Sequence, residues 1–194
     1  MTVAVTSRRA VFLDRDGVLN RVIVRDGRPY PPVTPDELEL LPGVAEACAT
    51  LRQAGCRLIV VTNQPDIARG SQTVAGLEVL HQRLRGLVGV DDIRVCPHDD
   101  ADQCECRKPR PGLLLDAARD WDIDRGCSFM VGDRWRDVDA GRAAGCITIH
   151  IDYGYAEPQP GQPDFVVASL PEAANIILQR IEKEEADGPA TRRL

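Results

Sequence analysis

Ala10-Val11-Phe12-Leu13-Asp14-Arg15-Asp16-Gly17-Val18-Leu19-Asn20 passes from an unbroken apolar run straight into two carboxylates and a glycine. Four apolar residues in a row read as a strand buried on both faces, because a half-exposed strand would alternate. The aspartates at i and i+2 then fall at the mouth of that strand. Packing explains them poorly, since burying a carboxylate without partners is expensive. A bare Asp-x-Asp is more often a turn or a helix cap. The whole string from Phe12 to Asn20, with its glycine turn, shifts the reading to a site. One carboxylate could ligate Mg²⁺ and attack a phosphorus, and the other could serve as acid and base.

Similar apolar runs recur at Arg57–Val61, Ile93–Val95, Ser128–Val131, Ile147–Ile151 and Phe165–Val167. Helical patterns lie between and after them, over Val44–Ala54, Val74–Val88, Leu113–Asp120, Arg136–Ala144 and Pro171–Glu184. Pro42-Gly43 and Pro111-Gly112 stand at helix starts, and Gly55 and Gly145 follow helices as stops. Wholly apolar strands alternating with helices predict an α/β domain, Rossmann-like and doubly wound, around a mainly parallel sheet. Ligands bind such sheets beyond the carboxyl ends of the strands. A single domain is expected over residues 1–184. Residues 185–194 are charged and punctuated by Gly and Pro, which predicts a disordered tail.

At 194 residues, with a net charge of −6 and a pI near 5.1, the chain is one domain of ordinary size without the basic footprint of a nucleic-acid binder. No apolar stretch has the length of a signal peptide or a membrane span, so a cytoplasmic address is expected. The seven cysteines are odd in number, which argues against a disulfide framework. Three of them, Cys96, Cys104 and Cys106, fall within eleven residues together with His98. Three thiolates and an imidazole at that spacing match a closed tetrahedral zinc site, and the neighbouring Asp99, Asp100 and Asp102 make the loop too polar to fold by burial. With no open coordination position, the metal would be structural.

Three further stretches complete the candidates. Thr62-Asn63-Gln64 ends the second strand with a hydroxyl and amides suited to phosphate oxygens, although alone it is only a polar loop. Arg107-Lys108-Pro109-Arg110 concentrates cations after the zinc loop and before a helix, an anion trap within an acidic protein. Gly132-Asp133-Arg134 puts a carboxylate at the end of the fourth strand. If that strand adjoins the first, Asp133 meets Asp14 and completes an oxygen shell for Mg²⁺. Asp137 is read as capping the following helix.

The ordered set resembles the haloacid dehalogenase superfamily of phosphohydrolases over Val11 to Gly145. The four motifs of that superfamily correspond to Asp14-Arg15-Asp16-Gly17, Thr62, Lys108 and Asp133. Within it, Phe12–Gly17 and the Cys96–Pro109 loop are similar to the branch of heptose-bisphosphate and histidinol-phosphate phosphatases. Ile67-Ala68-Arg69-Gly70 and Pro111-Gly112 are similar to the heptose members. Pro65-Asp66 departs from the usual Ser-Gly, and the zinc loop has the short histidinol-like spacing.

The resemblance implies hydrolysis through a phospho-aspartate on Asp14, with Asp16 as acid and base and Thr62 and Lys108 holding the transferring group. It implies Mg²⁺ held by Asp14, Asp133 and the backbone carbonyl of Asp16, and structural Zn²⁺ on Cys96, His98, Cys104 and Cys106. Asn20, Asn63, Gln64, Arg69, Arg107 and Arg134 are the candidate substrate contacts. The favoured substrate is D-glycero-D-manno-heptose 1,7-bisphosphate, losing its C7 phosphate; histidinol phosphate or another small phosphosugar is the alternative. A catalytically silent zinc-loop binding protein is the rival from another class, opposed by the presence of both Asp14 and Asp16. No room exists between motifs for a large cap domain. Residues 21–32, with Asp26-Gly27 between Val22–Val24 and Tyr30, predict a hairpin flap. The expected partner is a small phosphorylated sugar, with no nucleic acid or membrane, and the expected state is a monomer.

Overall fold

In a computed structural model, which describes residues 8–25 and 28–186, the apolar runs pair into one sheet. The chain opens with β1 (Ala10–Leu13), then a hairpin of β2 (Ile23–Arg25) and β3 (Arg28–Tyr30), then α1 (Val44–Gln53). There follow β4 (Arg57–Asn63), α2 (Val74–Val88), β5 (Asp92–Cys96), α3 (Gly112–Asp120) and β6 (Phe129–Gly132). The chain continues through α4 (Trp135–Ala144), β7 (Ile147–Ile151), β8 (Phe165–Val167) and α5 (Leu170–Ala186). The six-stranded sheet runs β5-β4-β1-β6-β7-β8, every neighbour parallel. This is the doubly wound order, reversing direction at β1, so a crevice opens beyond the carboxyl ends of β1 and β6.

Alternate residues of the central strands feed two cores. Val11, Leu13, Val60 and Val131 pack towards α1 and α5 with Leu51, Ala173 and Ile177. Ala10, Phe12, Ile59, Val61 and Met130 pack the other way, with Leu114, Ala117, Ala140 and Ala144 of α3 and α4. Covering both faces is why these strands are apolar throughout. Full burial of Phe12 or Leu13 stabilises the fold by roughly 1.5–3 kcal/mol each.

Two strands run longer than their apolar patterns. β4 continues to Asn63 and β5 to Cys96, because the parallel ladder pairs Thr62 with Val95 and Asn63 with Cys96 whatever the side chains are. The Cys96–Cys106 loop therefore leaves the sheet beside the end of β4. The flap forms as an antiparallel hairpin, Ile23 opposite Tyr30; its expected Asp26-Gly27 turn lies outside the described residues. Between β1 and β4 the described residues hold this hairpin and α1, with no separate cap. α5 runs through Ala186, two residues into the expected tail; residues 187–194 lie outside the described set. No helix of the described residues is long and apolar enough to cross a membrane.

Candidate active site

β1 and β6 are neighbours, Leu13 opposite Val131, and the Asp14 amide donates to the Val131 carbonyl at 3.0 Å. Asp14 and Asp133 therefore emerge side by side at the switch point, and both are buried. Gly17 makes this approach possible: with φ +83°, a Cβ there would lie 2.0 Å from Asp133 Oδ2.

Lys108 comes from the other direction. Asn63 clamps its peptide on both sides, donating from Nδ2 to the Lys108 carbonyl at 3.0 Å and accepting the Lys108 amide on Oδ1 at 3.1 Å. The buried ammonium then lies 3.0 Å from Asp14 Oδ1 and 2.5 Å from Asp137 Oδ1, and donates to the Val61 carbonyl at 2.7 Å. Burial works against this charge, but Asp137 and Asp14 outweigh burial and hold the Lys108 pKa above its ordinary value. Asp137 also caps α4, accepting the Arg134 amide on Oδ2 at 3.1 Å. The helix-cap reading of Asp137 was thus half of its part. Its spacing of one helical turn from Asp133 was the signal for the rest.

One ammonium serves three acids. Burial pushes Asp14 up to about 6; Lys108 opposes this, while the charges of Asp137 and Asp16 add to it. Burial, then Asp14 and Asp137, push Asp133 well above the carboxylate range. Both oxygens of Asp133 are buried without a hydrogen bond, and Asp14, Asp133 and Asp137 place one oxygen each within 4.8 Å of one another. Orphaned hard oxygens with surplus negative charge suit a hard divalent cation such as Mg²⁺.

Asp16 lies apart from that cluster. Its Oδ1 accepts from Asn20 Nδ2 at 3.0 Å, its Oδ2 from Gln64 Nε2 at 2.9 Å and Arg15 Nη2 at 2.9 Å, and Arg15 Nε reaches both oxygens at 3.1 Å. Gln64 also donates to Thr62 Oγ1 at 2.9 Å, which leaves the threonine hydroxyl proton for another acceptor. Asn20 and Gln64, expected to touch substrate, instead stand behind Asp16 and outside the cavity lining, because the strand-end carboxylate draws their amides inward. Arg15 was not singled out from sequence, nor was its buried contact with His81.

The cavity, about 190 Å³, is lined by Asp14, Asp16, Thr62, Asn63, Lys108 and Asp133, with the arginines at its rim. Arg69 pairs with Asp99 at 2.7 and 2.9 Å, Arg107 with Asp100 at 2.7 Å, and Arg134 with Glu157 at 2.8 Å. All three expected arginines thus reach the cavity already paired. Arg136, missed from sequence, also lines it, stacked 4.7 Å from the Trp135 ring with a buried Nε that has no partner.

The Cys96 loop gathers as its spacing predicts. Cys96 Sγ lies 3.6 Å from Cys104 Sγ, 3.1 Å from Cys106 Sγ and 3.7 Å from His98 Nδ1. Cys106 is 3.4 Å from Cys104 and 3.3 Å from His98 Nδ1. A tetrahedron with metal–sulfur bonds near 2.3 Å has edges of about 3.8 Å, so these contacts fit a zinc-sized centre. Arg69–Asp99 and Arg107–Asp100 tie this loop to the cavity rim.

A pocket of buried carboxylates admits an anion only where cations screen them, and phosphoryl transfer brings anion and cation together. The chain belongs to the haloacid dehalogenase-like hydrolases, whose family model matches residues 21–145. It is 38% identical over 182 residues to the D-glycero-beta-D-manno-heptose-1,7-bisphosphate 7-phosphatase of Pseudomonas aeruginosa, covering 89% of this chain and 99% of that one. The enzyme of the same name from Bordetella bronchiseptica is 35% identical over 173 residues, covering 87% of this chain and 91% of that one. A crystal structure of the B. bronchiseptica D,D-heptose 1,7-bisphosphate phosphatase with magnesium and phosphate matches with a TM-score of 0.74 and 35% identity, covering 89% and 99% of the two chains. The activity of this chain is that of a phosphatase.

Proposed function

We propose that this phosphatase removes the C7 phosphate of D-glycero-D-manno-heptose 1,7-bisphosphate, with Mg²⁺, through a phospho-aspartate on Asp14. One observation carries the mechanism: Asp14 is buried at the switch point with Lys108 3.0 Å from one of its oxygens. The heptose rests on the relatives that share that substrate in their names.

Asp14 Oδ1 accepts the Arg15 amide at 2.8 Å and faces Lys108, which leaves Oδ2 to attack phosphorus in line. The Oδ2–P bond forms as the P–O7 bond breaks, and Asp16 delivers a proton to O7. Asp16 then takes a proton from the water that attacks phosphorus and releases Asp14. Arg15, Asn20 and Gln64 all donate to Asp16 and hold its carboxylate at the cavity, whose lining it joins. Thr62 Oγ1 and Lys108 Nζ hold the oxygens of the transferring group as its charge redistributes. Asp14, Asp133 and the carbonyl of Asp16 would hold Mg²⁺, whose charge offsets repulsion between phosphate and carboxylates. Asn63 fixes Lys108, and the remaining donors of Arg69, Arg107 and Arg134 face the sugar and its second phosphate.

Cys96, His98 through Nδ1, Cys104 and Cys106 would hold a structural zinc, which would fix the loop carrying Arg107 and Lys108. Three thiolates clustered in that loop suit a reducing cytoplasm.

The test is phosphate release with Mg²⁺ from both anomers of heptose 1,7-bisphosphate, histidinol phosphate, fructose 1,6-bisphosphate and nucleotides, with Asp14→Asn alongside. Preference for one heptose anomer, abolished by Asp14→Asn, supports the whole reading. Preference for another member of the panel removes the heptose, and activity that survives Asp14→Asn removes the mechanism.

A further inference from the structure

His81 lies on α2, an element that gives the cavity no lining residue, yet its ring nitrogen Nε2 is 3.2 Å from Arg15 Nη1 in the interior. On that helix Leu77, Leu80, Leu84 and Val88 form the buried stripe, and His81 occupies a position within it. A histidine there is ordinarily no more than a satisfied core residue. Its partner makes this one different.

Arg15 has no exposed side-chain surface. A buried guanidinium is tolerated only when its donors are met. Nε and Nη2 lie side-on against the Asp16 carboxylate, between 2.9 and 3.1 Å. That leaves Nη1, and His81 Nε2 is its side-chain partner. Arginine only donates, so Nε2 must carry the lone pair and the ring proton sits on Nδ1. Burial first, then the Arg15 charge, push His81 down to about 4, so the ring is neutral and able to accept at physiological pH.

We propose that His81 is a positioning residue: by accepting from Arg15 Nη1 it fixes the plane of the guanidinium, and the guanidinium sets the direction of the Asp16 carboxylate that transfers the proton. Without that acceptor the fork can rotate about its stem. Asn20 and Gln64, each bonded to one carboxylate oxygen, do not define a plane by themselves. The acid would then be misaimed while Asp14, Lys108 and Asp133, which His81 does not touch, stay in place. This inference rests on the proposed role of Asp16.

The test compares His81→Leu and His81→Gln with wild type in single-turnover experiments on two phosphates. 4-Nitrophenyl phosphate loses a phenolate that needs no proton, whereas heptose 1,7-bisphosphate loses an alkoxide that does. His81→Leu should slow first-turnover release from the heptose substrate by roughly 10- to 100-fold, within the range of general acid catalysis, and leave 4-nitrophenolate release within about threefold. His81→Gln, which keeps an acceptor, should recover most of the loss. The ratio of the two rates is internal to each variant, so any unfolded fraction cancels. Equal loss on both substrates, no loss on either, or failure of Gln to rescue would overturn the proposal. Should wild type reject heptose bisphosphate, the substrate reading fails separately, and the sugar phosphate it does hydrolyse supplies the alkyl arm.

Discussion

The Lys108 ammonium stands between two carboxylates that belong to different parts of the site, 3.0 Å from Asp14 Oδ1 at the end of β1 and 2.5 Å from Asp137 Oδ1 in the first turn of α4. One cation thus joins the carboxylate at the end of β1 to the helix that follows the strand carrying Asp133. Its loss is felt by both catalysis and folding.

Lys108→Met should lower kcat by roughly 100- to 1,000-fold, the cost of one charged donor to the transferring group. It should also lower stability by roughly 3–5 kcal/mol, since two buried carboxylates lose their counter-charge. Adding Asp137→Leu should recover part of the stability and none of the activity. Urea melts and phosphate release read the two effects separately; a single variant as stable as wild type would show that the ammonium does not compensate these acids.

Asp14 binds its proton more tightly folded, at about 6, than unfolded, at about 4. The folded chain therefore holds the extra proton, and Asp14 contributes stability below pH 4 that is lost as pH rises through 6. Asp133, also raised, acts in the same direction. Metal-free protein should lose melting temperature across that window more steeply than Asp14→Asn, which has no carboxyl to titrate there. Mg²⁺ at about 100 times its Kd should add roughly 2.7 kcal/mol near pH 7, and Asp133→Asn should abolish that gain. Parallel pH curves for wild type and Asp14→Asn would refute the account of the buried acid.

Zinc content should be close to one per chain, and chelation should expose three further thiols, Cys96, Cys104 and Cys106, to a thiol reagent. Cys48, Cys56 and Cys146 are buried and should stay slow until the chain unfolds. Activity should fall with chelation, because Arg107 and Lys108 leave the same loop. A thiol count unchanged by the chelator would mean that no thiolate-bound metal holds it.

Gly17→Ala is a single methyl placed 2.0 Å from Asp133 Oδ2 on a backbone at φ +83°. The chain can relieve this only by parting Asp133 from Asp14, and a shift on the order of 1 Å costs about 100-fold in rate. Mg²⁺ affinity should weaken alongside kcat, measured by titrating the metal against activity. Wild-type values for both would show that the two strand ends have slack.

Much of this site is legible along the chain because its residues stand where the apolar pattern breaks. Asp14 and Asp133 each follow a buried strand and Thr62 ends the apolar run within β4, while the cluster of Cys96, His98, Cys104 and Cys106 shows in its spacing alone. The roles of Asn20 and Gln64 were not legible in this way. Both are polar residues near a strand end, and only the fold shows that their amides turn to Asp16 and away from the cavity. The arginines illustrate the same limit. Their clustering marked an anion site, but which of them meet Asp99, Asp100 or Glu157 depends on loops brought together from up to 30 residues away.

Local periodicity and spacing are enough to specify a parallel α/β sheet, the strand ends that carry the acids and the grouping of Cys96, His98, Cys104 and Cys106 in one loop. Tertiary structure decided the partnerships: Lys108 with Asp14 and Asp137, Asn63 with the Lys108 peptide, His81 with Arg15. These contacts join residues 29 to 94 positions apart, as Lys108–Asp137 and Asp14–Lys108 mark the two ends of that span. Hydrogen bonds and ion pairs act over about 3 Å, and no local pattern encodes which distant group will come within that reach.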